Sequence, residues 1–130
     1  MKRIISTAAI ACVTAFGLNT AAQAAGAVWS PDYHETVPII NDYESKPIKK
    51  NTTGSAHNKV KRIDSGKLVS WVENSSGTNL TTKESYTSPG RYYMDYSNAS
   101  DSKGRSLHLN ISTSSGTMHS VYTVGTWTPN

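Results

Sequence analysis

KLVSWVEN, residues 67–74, decides the fold. In an extended chain Val69 and Trp71 fall on one side, and Leu68, Ser70 and Val72 on the other. That is the period of a β-strand with both faces in use. Asn74-Ser75-Ser76-Gly77 follows as a turn. SLHLNIST, residues 106–113, repeats the pattern, with Leu107, Leu109 and Ile111 inward and His108 and Asn110 outward. Between them lies a Thr-rich stretch, Asn79 to Tyr86, then the turn signal Ser88-Pro89-Gly90, then RYYMDYSN, residues 91–98. Its alternation sets Tyr92, Met94 and Tyr96 against Arg91, Tyr93 and Asp95. The two segments flanking Ser88-Pro89-Gly90 are expected to be neighbouring strands, their tyrosines over a core edge. MHSVYTVGTWT, residues 118–128, is apolar on both sides and reads as a central strand. Lys59 to Ile63 permits one more.

No long helical stripe occurs, and Ser, Thr and Asn are abundant, which disfavours long helices. The expectation is an all-β chain, a small antiparallel β-sandwich or partly closed barrel, over residues 57–130. Residues 25–56 read instead as an irregular N-terminal arm. Pro31, Pro38 and Pro47 come too close together for a helix, and Val37, Ile39 and Ile40 offer at most a short edge strand.

Residues 1–24 have the form of a secretory signal peptide. Lys2 and Arg3 precede an apolar run from Ile4 to Leu18, and Ala22-Gln23-Ala24 gives the small-x-small cleavage pattern. The run is short of the roughly 20 residues a membrane-spanning helix needs. Cleavage after Ala24 or Ala25 and secretion are expected, with no transmembrane segment in the mature chain. The lone cysteine, Cys12, leaves with this segment, which excludes disulfide, thiol and cysteine–metal chemistry from the remainder. Of the 13 Lys and Arg, Lys2 and Arg3 also leave, so the remainder stands against 9 Asp and Glu with little net charge.

Within that balance one stretch is polarised. KPIKKNTTGSAHNKVKR holds Lys46, Lys49, Lys50, Lys59, Lys61 and Arg62 with no acid. These are the candidate contacts for an anionic surface, either cell-wall polymer or lipid headgroups. Tyr86 and Tyr93 are the candidate aromatic contacts. Nucleic acid is not expected, for want of a recognition helix or RNP-like strand.

The signals for catalysis are sparse. His34-Glu35 lacks the second histidine of a zinc-protease helix, because position 38 is Pro. No serine sits in a nucleophile-elbow motif. His108 and His119 are placed to face each other across a hairpin turned at 114–116, without an obvious third ligand. Asp95, Asn98 and Asp101 offer oxygens but miss the spacing of an EF-hand loop, and Asx turns account for them equally well. No cofactor, metal or catalytic residue is assigned.

NKVKRIDSGKLVSWVEN, SGTNLT, SLHLNI and YTVGTW together resemble a family of small secreted Gram-positive proteins grouped only as a domain of unknown function, over residues 58–128. Trp71, Leu107, Leu109, Tyr122, Gly125 and Trp127 carry that resemblance and imply a fold, not an activity. DSGKLVSWVENSSGTNLTTKESY, residues 64–86, is similar to the lactococcin-972 type of bacteriocin, which implies a secreted β-rich protein acting on cell-wall assembly. The expected function is a secreted, non-catalytic β protein acting by surface contact at the bacterial cell envelope. The alternatives are a bacteriocin-like toxin and a secreted hydrolase inhibitor.

Overall fold

The computed structural model describes residues 26–130. Nine strands and one short helix follow in order. They are β1 (Tyr33–Val37), β2 (Tyr43–Glu44), β3 (Ile48–Lys49), β4 (Ala56–Ile63), β5 (Leu68–Asn74), β6 (Glu84–Tyr86), β7 (Gly90–Met94), α1 (Ala99–Ser102), β8 (Ser106–Thr113) and β9 (Val121–Thr128). The first sheet runs β1-β9-β4-β7, and the second runs β2-β8-β5-β6 with β3 also on β8. Every pairing is antiparallel. The two sheets pack face to face as an all-β sandwich.

The strands alternate as the sequence requires. Leu68, Ser70 and Val72 of β5 and Leu107, Leu109 and Ile111 of β8 turn inward and are buried. From the first sheet Val37, Ala56, Val60, Met94, Val121 and Trp127 meet them. β9 is central, between β1 and β4. Gly125 on β9 lies opposite Tyr33. A Cβ at this glycine would collide with the Tyr33 ring and the Lys59 carbonyl, so its bareness is what admits the tyrosine.

The core is not wholly apolar. The Tyr33 hydroxyl donates to Asn58 Oδ1 at 2.7 Å. Asn58 Nδ2 donates to Ser70 Oγ at 3.0 Å and to the Tyr86 hydroxyl at 3.1 Å. Ser70 and Tyr86 close the ring at 2.6 Å. These four groups come from β1, β4, β5 and β6, so they tie one sheet to the other at a fixed offset. A buried polar network of this kind is tolerable because each member is satisfied. Burial pushes the Tyr33 and Tyr86 phenols far above the ordinary tyrosine range.

Three expectations are corrected. The arm expected over 25–56 is not irregular where it is described: β1 is an edge strand of the first sheet, and β2 and β3 edge the second. Their prolines sit outside the strands, at 31, 38 and 47, where a missing N–H costs no ladder bond. Second, the strands on either side of Ser88-Pro89-Gly90 do not pair with each other, although their segments meet further out in an antiparallel bridge between Thr81 and Tyr96. β6 belongs to the second sheet and β7 to the first, and the turn carries the chain across the sandwich. Near the turn itself the Tyr86 and Tyr92 rings meet, stacked with centroids 4.6 Å apart. Third, β8 and β9 form no hairpin, for they too lie in different sheets, which separates His108 from His119. The signal-peptide reading falls on residues outside those described.

Candidate functional site

The outer face of the first sheet gathers cations and aromatic rings. β4 turns Ala56, Asn58 and Val60 inward, so His57 and Lys59 point out. A bulge between Val60 and Arg62 then shifts the phase. It leaves both Lys61 and Arg62 exposed and returns Ile63 toward the core. β7 presents Arg91 and Tyr93 on the same outer face.

Pairing sets these side chains side by side. Lys59 lies directly opposite Arg91, and His57 directly opposite Tyr93. The His57 and Tyr93 rings meet edge to face with centroids 4.5 Å apart. Trp29 lies over the same patch, its ring 5.8 Å from that of His57. The Arg91 guanidinium stands 5.4 Å from the Trp29 ring centroid. Segment 29–30 is held there by Ser30, whose N–H donates to the Trp127 carbonyl at 2.8 Å and whose Oγ accepts from the Trp127 N–H at 3.0 Å. Tyr93 is 50% exposed and Trp29 37%, so ring surface remains open beside the charges.

The charges differ in how they are neutralised. Lys61 is paired to Asp32 at 2.8 Å, and Arg62 to Asp64 at 3.1 Å. Among the described residues no carboxylate is in salt-bridge range of Lys59 or Arg91. His57 Nδ1 is buried and has no hydrogen-bond partner there. Burial first, then the charges of Arg91 and Lys50, hold its imidazole below the ordinary histidine range, so it is neutral at neutral pH. The arrangement offers two unneutralised cations beside two partly exposed rings. It suits binding of an anionic, ring-bearing ligand.

The basic segment read from the sequence is thus dispersed. Lys59, Lys61 and Arg62 lie on this face. Lys46 is exposed at a lateral cleft between the sheet edges, lined also by Tyr33, Tyr43 and Trp127. Lys49 lies opposite Ser106 at the edge of the second sheet. Lys50 is no surface contact, because it is completely buried. Its ammonium donates to the carbonyls of Gly54, Pro129 and Asn130 and sits 4.1 Å from the Tyr96 ring centroid. Burial lowers it to about 8. Tyr86 is likewise no contact residue: it is 3% exposed and its hydroxyl is spent in the core network. Tyr93 is where an aromatic contact must be.

Trp29, His57 and Arg91 were not among the sequence candidates. The alternation of RYYMDYSN already put Arg91 and Tyr93 on one face. What the sequence withheld was the partner strand. The other candidates have structural occupations. Asn98 caps α1 by accepting from the Asp101 N–H, Asp95 accepts from Ser55 Oγ at 2.6 Å, and Asp101 pairs with Arg105. Among the described residues no cluster of three or more His, Cys, Asp or Glu is placed to hold a metal ion, and no helix is long and apolar enough to cross a membrane.

The fold and site define a small antiparallel β-sandwich with one open cationic and aromatic face. No protein-family model matches the chain, and neither a curated protein nor a solved structure matches it.

Proposed function

We propose that this protein is a secreted, non-catalytic β-sandwich that acts by surface contact at the bacterial cell envelope. It binds anionic cell-wall polymer through the outer face of its first sheet. Export rests on the signal-like residues 1–24. The contact rests on one observation, the facing of Lys59 and Arg91 across adjacent strands with no acid among the described residues to neutralise either. Like charges directly opposite one another destabilise a sheet. Fold stability therefore does not account for the pair, whereas a phosphate or carboxylate lying between the two does. Trp29 and Tyr93 supply flat faces on which sugar or glycerol carbons rest.

Sedimentation with purified bacterial cell walls tests this reading. Binding should weaken steadily across a salt series, as exposed charges are screened. Lys59→Gln with Arg91→Gln should abolish it, while Lys46→Gln with Lys49→Gln should leave it nearly intact. Wall binding that ignores both salt and the Lys59/Arg91 change would overturn the proposal.

A further inference from the structure

We infer that one end of the sandwich is a lipid-contact end, where Ile39, Ile40 and Met118 enter the surface of a bilayer. Ile40 is 88% exposed, Met118 81% and Ile39 52%. Such exposure of large apolar side chains, gathered rather than scattered, marks an interaction surface. They sit on two loops, 38–42 and 114–120. Both loops lie at the same end, because Val37 at the close of β1 is paired with Val121 at the opening of β9.

The loops are braced so that the tips face outward. Thr113 Oγ1 donates to the carbonyls of Pro38 and Ile39, at 3.3 Å each. The Ser114 N–H donates to the Lys67 carbonyl at 2.9 Å, and the Thr117 N–H to the Ser114 carbonyl at 3.0 Å. The backbone is satisfied without drawing the apolar side chains inward. At the other end of the sandwich the exposed turn residues are polar: Ser75, Ser76, Thr78 and Asn79 after β5, and Asn98, Ser100 and Asp101 around α1.

The occupant is a bilayer and not a second copy of this chain. Three side chains on convex loop tips fall well short of the roughly 800 Å² per partner of a stable protein interface. Fluid hydrocarbon accepts irregular tips without a complementary shape. Charge at this end is balanced, with Lys67 against Asp42 and Asp64 already paired to Arg62. Insertion is therefore apolar in origin and indifferent to headgroup charge. The envelope reading places the protein beside such a surface, but the residues used are separate from Lys59 and Arg91.

A chain beginning at Ala25 contains every strand of both sheets and serves for the test. Its pelleting with large vesicles of phosphatidylcholine alone should be insensitive to salt, and its pelleting with vesicles that also hold phosphatidylglycerol should fall to the same level at high salt, where the Lys59 and Arg91 charges are screened. Ile40→Ser with Met118→Ser should lower the vesicle-bound fraction by about tenfold, with melting temperature and wall binding unchanged. Lys59→Gln with Arg91→Gln should do the converse, losing walls and keeping vesicles. Failure of wild type to bind either vesicle, or undiminished binding by the Ile40/Met118 variant, would overturn the inference. So would a wild-type dimer in sedimentation that this variant converts to monomer, since the tips would then belong to a second copy.

Discussion

The two outer faces of the sandwich are built from similar parts and finished differently. On the second sheet Trp71 is 6% exposed although it lies outside the core between the sheets. Its Nε1 donates to Glu73 at 2.6 Å, and the Lys83 ammonium lies 4.2 Å from its ring centroid. His108 opposite Glu73 is within 3.4 Å of Glu44 and 2.8 Å of the Ser45 carbonyl. Ring, acid and base there are occupied with one another. On the first sheet Trp29 and Tyr93 keep open ring surface, and Lys59 and Arg91 have no acid in range among the described residues. A face closed on itself contributes to stability. One left open contributes little, and it is the one available to a ligand.

Truncating the tryptophans is the strongest test of that contrast. Trp127→Ala removes a 1% exposed core ring and should cost about 3–5 kcal/mol in urea denaturation. Trp71→Ala, which empties a covered site outside the core, should cost about 1–3 kcal/mol. Trp29→Ala should cost less than about 1 kcal/mol while weakening wall binding. If Trp29 proved the costliest of the three, the open face would have to be reassigned as structure.

A smaller effect carries an informative sign. Lys59→Gln should stabilise the fold by about 0.3 kcal/mol at low salt, because like-charge repulsion across β4 and β7 is relieved. Substitution that strengthens the fold and removes binding marks a residue retained for its ligand. A loss of stability at Lys59 would show a hidden partner.

The finest test follows the imidazoles. A depressed His57 means that the unfolded chain takes up a proton sooner on acidification. Its contribution to stability is thus intact at neutral pH and is lost as pH falls through the ordinary histidine range. A bound polyanion should offset the Arg91 charge and raise the His57 titration, seen by NMR, while the His108 resonances stay in place. An unchanged His57 titration at saturating polymer would move the contact elsewhere.

Much of the fold was legible because alternation is a local property. Leu68 and Val72, and Leu107 to Ile111, show their inward faces residue by residue, and the doubly apolar 121–128 marks its central place. The strands before residue 57 were obscured because Pro31, Pro38 and Pro47 break the stretch into pieces too short to show a period. The candidate contacts were half legible. Exposed Lys59, Lys61 and Arg62 follow from their charge, but Lys50 and Tyr86 have the same credentials in sequence and are buried.

The sequence by itself determined that this chain is antiparallel β and which residues of each long strand point inward. A two-residue period needs only neighbours along the chain. Tertiary structure alone decided which strands adjoin, since most connections here cross between sheets and chain neighbours rarely pair. That choice sets Lys59 against Arg91, and His57 against Tyr93, across 32 and 36 residues of chain. It also sends Lys50 inward to backbone carbonyls from the chain's last residues. Burial and pairing are properties of space, and no local pattern encodes the distance between two segments that meet only after folding.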